Sequence, residues 1–186
     1  MLKMAEPIIH HRHPEFGEIG ELRVAMAERG YVTLSVQMPV LAATAGREDY
    51  VALFEIAGDR IEAALRWLRA QQVEPIAIVA HSMGAGMADA YLARPSRAAV
   101  RAFVPMGMFG TFAGGARPPT LDLVAQNDFP EILAQVPVRA RQLAGDRCSS
   151  MATLANTDHY LGGVTADLAT RITPFLVRAF SGDCAR

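Results

Sequence analysis

Short apolar runs alternate along this chain with longer segments of helical spacing, and no other feature limits the fold as much. The runs are "PIIH" (7–10), "YVTLSV" (31–36), "IAIVA" (76–80), "AAVRAFVPM" (98–106), "LDLVAQ" (121–126) and "SSMATLA" (149–155). They are short and mostly apolar throughout, as strands are when covered on both faces. Between them lie five helical stretches. Residues 15–30 close at Gly30. Residues 48–72 carry Val51, Phe54, Ile61, Leu65 and Leu68 in threes and fours. Residues 83–93 follow, then 130–144, which Pro137 should break or restart, then 164–180 with Val164, Leu168, Ile172 and Leu176 on one stripe. The pattern predicts an α/β fold, a mainly parallel doubly wound sheet with helices on both faces. The 186 residues make a single domain, 1–186, able to bury a sizeable core.

The run at 76–80 leads directly into "AHSMGAG" (80–86). A serine between a buried strand and a helix sits on a very tight turn, where Gly-x-Ser-x-Gly is the usual pattern. Here Ala80 replaces the first glycine, which is tolerable if its φ stays negative at the strand end. Gly84 and Gly86 are expected to let the helix start close to its neighbours. Such a turn lifts the Ser82 hydroxyl above the carboxyl ends of the strands, where open α/β sheets bind ligands, and onto a helix N-terminus that favours negative charge. A helix N-cap is the other reason for a serine here. A cap requires neither the strand before it nor the small residues on both sides.

A serine hydroxyl needs a base to become a nucleophile, and the base needs a group to orient it. The chain order for this architecture is Ser, then Asp or Glu, then His. His159, in "NTDHYLGG" after the last run, is the histidine that fits; His81 adjoins the serine and points the wrong way to act as its base. Asp128, in "LVAQNDFPE", sits between a strand and a helix, where an orienting carboxylate belongs; a helix N-cap before Pro130 is its competing role. Asp146 and Asp158 are rivals, and Asp122 lies mid-strand, poorly placed for reach. An oxyanion hole would use the N–H of Met83 and a second N–H from the loop "IIHHRHPEF", for which Arg12 is the candidate. The "HHRH" tract (10–13) could instead ligate a metal, but no Asp, Glu or Cys lies at ligand spacing. No metal and no cofactor are expected.

The net charge of −1 argues against nucleic acid or an anionic membrane as partner. The apolar runs are far short of a bilayer span, and "MLKMAEPIIHHRHP" has no secretory h-region, so a cytoplasmic location is the default. A bridge between Cys148 and Cys184 is the alternative, but in a reducing compartment the two are expected as free thiols. The short first run leaves a sheet edge that a second copy could cover, which points toward a homodimer.

With these residues in place, the chain resembles the α/β-hydrolase superfamily through "IAIVAHSMGAG", "LVAQND" and "TDHYLGG". It is most similar to small, lid-less bacterial α/β hydrolases, mostly uncharacterised, through "GYVTLSVQMPVLA" (30–42) and "EDY" (48–50). The resemblance implies Ser82 as nucleophile, Asp128 as acid and His159 as base, on a minimal hydrolase core without a cap domain. Two departures stand out. His10-His11 replaces the usual His-Gly after the first strand; the His11 side chain is expected to reshape or obstruct the oxyanion loop and to contact substrate. The antiparallel strands that precede this point in larger members are missing. Only "GMFGTFAGGARPPT" (107–120) occupies the place of a lid, so an open site is expected. Met108, Phe109 and Phe112, with Met83, would form an apolar acyl wall there, unless they simply pack the core. The activity so implied is hydrolysis of a small-molecule carboxylic ester with a short or medium acyl chain, through an acyl-enzyme. Thioester or amide cleavage, and a non-catalytic binding protein on the same scaffold, are the alternatives.

Overall fold

The computed structural model describes residues 17–42, 44–95 and 97–183. Their centre is a sheet of four parallel strands in the order β1-β2-β3-β4: β1 (Ala77–His81), β2 (Ala102–Met106), β3 (Leu121–Asn127) and β4 (Ser150–Asp158). Parallel strands require crossovers; helices supply those from β1 to β2 and from β3 to β4, and the loop 107–120 supplies that from β2 to β3. Helix α3 (Ser82–Leu92) follows β1, α4 (Pro130–Leu133) and α5 (Val136–Leu143) follow β3, and α6 (Thr165–Ser181) follows β4. Helices α1 (Gly17–Glu28) and α2 (Phe54–Ala70) precede the sheet.

Side-chain alternation divides the sheet into two cores. Ala102, Val104, Met106, Leu121, Leu123 and Ala125 point to one face, where they meet Leu22 and Met26 of α1 and Leu168, Ile172 and Phe175 of α6. Phe103 points to the other, packing with Leu65 and Leu68 of α2, Ala85 and Ala88 of α3 and Leu143 of α5. This is the doubly wound arrangement expected from the apolar runs. Pro105 lies inside β2 and has no N–H to donate. The β2–β3 pairing is correspondingly sparse, reduced to Met106↔Leu123 and an isolated bridge Phe103↔Thr120.

Several expectations change. Residues 31–36 form no strand; Val32 and Leu34 are exposed, and nothing among the described residues pairs with them. A β-branched sequence becomes a strand only with a partner to bond to. The run at 7–10, its expected neighbour, lies outside the described residues. The long helix at 48–72 divides into a 3-10 turn, Arg47–Leu53, and α2. The stretch 130–144 does divide, as expected, and Pro137 marks the restart: it sits in the first turn of α5, where its missing N–H costs nothing. Cys148 is disulfide-bonded, not a free thiol, which removes the cysteine argument for a reducing compartment. Cys184 lies outside the described residues. No helix among the described residues is long and apolar enough to cross a membrane.

Asp122 of β3 faces the α5 side of the sheet, fully buried, and the Arg139 Nε–H donates to its Oδ2 at 2.7 Å. Arg139 Nη1 also donates to the carbonyls of Met108 and Gly110, both at 3.0 Å. One buried cation therefore ties β3 and α5 to the loop that leaves β2. Removing one member of a buried pair leaves the other charge uncompensated. Arg139→Met is expected to destabilise the fold by about 3–5 kcal/mol, and Arg139→Met with Asp122→Leu to recover much of that loss. Urea unfolding midpoints of the two variants and the wild type check this.

Candidate active site

The site forms where strands stop. Ser82 follows β1 immediately and has φ of 55°, the left-handed region that non-glycine residues avoid. Holding a serine there costs on the order of 1 kcal/mol, so the turn is imposed by the strand and helix that meet at it. Ala80 lies within β1, one residue before its end, as a residue with ordinary strand backbone can. The two glycines behind the serine do less than expected. Among the described residues, a Cβ at Gly84 would meet nothing within 4 Å, and one at Gly86 would meet only the Phe54 ring at 3.7 Å.

Asp128 lies one residue beyond β3, and His159 one residue beyond β4, so parallel strands bring three distant segments together. Ser82 Oγ is 2.8 Å from His159 Nε2, and His159 Nδ1 is 2.7 Å from Asp128 Oδ1. An ionised carboxylate can only accept, so Nδ1 carries the imidazole hydrogen and Nε2 is left to accept the serine proton. Both His159 and Asp128 are 5 % exposed. The Phe129 N–H also donates to Asp128 Oδ1 at 2.9 Å. Asp128 Oδ2 has no hydrogen-bond partner among the described residues. Asp128 is not an N-cap: Phe129 occupies that position in α4. Of its rivals, Asp146 bonds Ser149, Asp158 bonds the Tyr160 N–H, and Asp122 is committed to Arg139.

Gly107 ends the pairing of β2 by donating its N–H to Leu123 O at 2.9 Å. Its φ is +54°, and a Cβ there would stand 3.1 Å from His159 Nδ1 and 3.2 Å from Asp128 Oδ2. Only glycine both accepts this backbone and leaves room for the imidazole–carboxylate pair.

This is the α/β-hydrolase fold. The chain is similar to an α/β serine hydrolase homologue from Coxiella burnetii, with TM-score 0.62 and 17% identity, over 86% of this chain and 76% of that one. It is similar also to the esterase domain of a Rhodothermus marinus protein, with TM-score 0.59 and 16% identity, over 88% and 80% of the two chains. A protein of unknown function from Agrobacterium tumefaciens gives TM-score 0.60 and 16% identity over 92% and 84%. No family model and no curated protein matches the chain.

Within this α/β-hydrolase core the residues expected around the serine divide. Met83, whose N–H belongs to the first turn of α3 and so has no intrahelical acceptor, is adjacent to Ser82. His11 and Arg12 lie outside the described residues. Met108 and Phe112 are 1 % and 3 % exposed and pack in the core with Phe103 and Leu143, which corrects their expected place in an acyl wall. Phe109 does face the site, its ring centroid 5.5 Å from that of His159. Two aromatic residues not singled out from sequence join it. Phe129 lies 4.4 Å from the His159 ring and stacks on Phe109 at 6.0 Å, and Tyr160 meets His159 edge-on at 5.7 Å. Their signal was adjacency: each neighbours a triad position in sequence. Arg47 caps the group, with its guanidinium carbon 3.9 Å from the Phe109 centroid.

The loop from β2 to β3 is pinned down over its first half. Asp89 of α3 accepts from Ala113 N–H at 2.6 Å and pairs with Arg117 at 3.4 Å, while the Gln142 amide bonds both backbone groups of Phe112. It carries no domain above the serine.

His81, the last residue of β1, is bonded through Nε2 to the His159 carbonyl at 2.7 Å. Burial lowers its pKa from 6.5 to about 4, with the His159 ring adding to the effect and the carbonyl bond and the Asp128 charge opposing it. Between about pH 6.5 and pH 4 the unfolded chain therefore takes up a proton here that the folded chain refuses. Stability falls as pH drops through that window, by an amount on the order of 3 kcal/mol when complete. His81→Gln, which does not titrate, is expected to lose less stability between about pH 7 and about pH 4.5 than the wild type, as read from urea unfolding at both. Gly107→Ala is expected to cost about 1–2 kcal/mol through its backbone and to lower any turnover at Ser82 about tenfold or more, by crowding His159. Unfolding and steady-state kinetics check the two effects separately.

Proposed function

We propose that the protein is a serine hydrolase that cleaves carboxylic esters of short to medium acyl chains. The observation that carries this reading is the unbroken line from Ser82 Oγ through His159 to Asp128, at 2.8 and 2.7 Å. The solved neighbours described as a serine hydrolase homologue and an esterase domain support it.

In the proposed reaction, Ser82 Oγ attacks the ester carbonyl as His159 Nε2 takes its proton. Asp128 keeps the imidazole in the required tautomer and stabilises the imidazolium. The Met83 N–H, and the Arg12 N–H as second donor, hold the oxyanion. His159 then gives its proton to the departing alkoxide, which leaves as alcohol. A water deprotonated by His159 attacks the acyl-serine, and the acid is released with Ser82 restored. Phe109 and Phe129 place apolar surface beside His159, suited to a short acyl chain rather than a charged one. The absence of a domain between β2 and β3 favours broad selectivity.

Ser82→Ala is expected to remove p-nitrophenyl butyrate hydrolysis, a loss of about 10³-fold or more, while leaving the unfolding midpoint near that of wild type. A fluorophosphonate probe should label wild type and not the variant. Full activity in the variant overturns the mechanism. An acyl panel of ester, thioester and amide compared by kcat/KM decides the bond cleaved. Failure of the wild type to react with both probe and panel favours a non-catalytic binding role.

A further inference from the structure

The geometry points to His81 as the positioning residue for His159: its Nε2–H, donated to the His159 carbonyl, holds the base over Ser82. This rests on the reading of Ser82 and His159 as nucleophile and base. The nucleophile leaves β1 and the base leaves β4, and these are the two outer strands of the described sheet, with β2 and β3 between them. No ladder hydrogen bond therefore fixes one against the other. The bond from His81 does so directly, at 2.7 Å across 78 residues of sequence.

Both of its ends are set firmly. His81 is the last residue of β1, has extended backbone (φ −118°, ψ 144°) and stands in register with Met106 of β2. Its side chain therefore starts from the sheet and not from a loop. At the other end, the turn that carries His159 is closed by the Leu161 N–H donating to Asp158 O at 3.0 Å and the Tyr160 N–H to Asp158 Oδ1 at 3.0 Å. The His159 carbonyl lies between these bonds, so holding it fixes the tilt of the turn. The two rings stand 4.9 Å apart, inclined at 38°.

The chemistry of the donor matters. A carbonyl can only accept, so His81 Nε2 carries the hydrogen, and burial disfavours a second proton on Nδ1, which keeps the ring neutral. A Lys or Arg could make the same bond but would set a permanent positive charge beside an imidazole that must itself become positive during the reaction. Among the described residues, the titratable groups facing His81 are His159 and, at longer range, Asp128.

His81→Phe, which keeps a ring and loses the donor, and His81→Gln, which keeps an N–H donor, separate the bond from the packing. In His81→Phe, kcat for p-nitrophenyl butyrate and the fluorophosphonate labelling rate should each fall by about tenfold to a hundredfold. KM should stay within about twofold, because the substrate surface is untouched. His81→Gln should keep kcat within about threefold of wild type. Proton NMR gives a second readout that needs no turnover. The His159 Nδ1–H should give a sharp downfield line in wild type and His81→Gln and a broadened or absent one in His81→Phe. Unchanged kcat and an unchanged line in His81→Phe overturn the proposal, as does equal loss in the two variants. A wild type that neither hydrolyses esters nor takes the probe refutes the hydrolase reading, and the ring-proton line then decides the role of His81 alone.

Discussion

Parallel pairing is the constraint on which the rest of the molecule depends. In a parallel sheet every strand ends on the same side, and every connection must return across a face. The three segments that follow β1, β3 and β4 therefore open onto one edge, and each delivers one polar side chain there: Ser82, Asp128 and His159. The apolar residues that cover both faces make this possible. With Leu22, Leu168 and Ile172 on one side and Leu65, Ala88 and Leu143 on the other, the central strands β2 and β3 are covered on both faces, and the polar side chains of the site collect at the carboxyl ends of the strands. The chemistry collects where the backbone is free of the ladder.

Placing three groups at one edge is not sufficient; they must also be spaced to within a few tenths of an ångström. Smaller devices do this. The left-handed φ at Ser82 swings the hydroxyl out of the helix axis. Gly107 leaves space for the imidazole and carboxylate that a methyl group would occupy. The Arg139 guanidinium, buried against Asp122, gathers the carbonyls of Met108 and Gly110 and so seats Phe109 beside His159. Each is locally unfavourable: a strained serine, a glycine at positive φ, a buried charge. Native structures tolerate such costs where a site requires them.

The sequence was legible where a local rule decides the outcome. Apolar run length located β1 to β4, and helical periodicity located α1, α2 and α6. Chain order and position after a strand selected Asp128 and His159 over nearer or more obvious residues, because in this architecture those positions follow from topology. Residues 31–36 misled because β-branching records fitness for a pleated surface, and only a neighbour supplies one. Met108 and Phe112 misled for a related reason: side chains alternate in direction along the loop leaving β2, and composition does not tell which of three apolar residues faces out. Arg139 was invisible in the sequence, where Asp122 was read only as poorly placed for reach, although a carboxylate buried in an apolar strand needs a partner such as this cation.

His81 shows what sequence spacing omits. Adjacent to the nucleophile, it is excluded as the base by the direction in which its side chain leaves the elbow. That same direction carries it toward the turn after β4, which sequence places 77 residues beyond Ser82. In the proposed reaction, a residue unsuited to transfer the proton is thereby well placed to hold the residue that would. The division is physically sensible. A base in the proposed reaction would change charge during each cycle, and its support should not; here one histidine faces the hydroxyl and carboxylate while the other is kept neutral by burial. Two imidazoles 4.9 Å apart thus differ in role because one has a carboxylate behind it and the other a carbonyl in front.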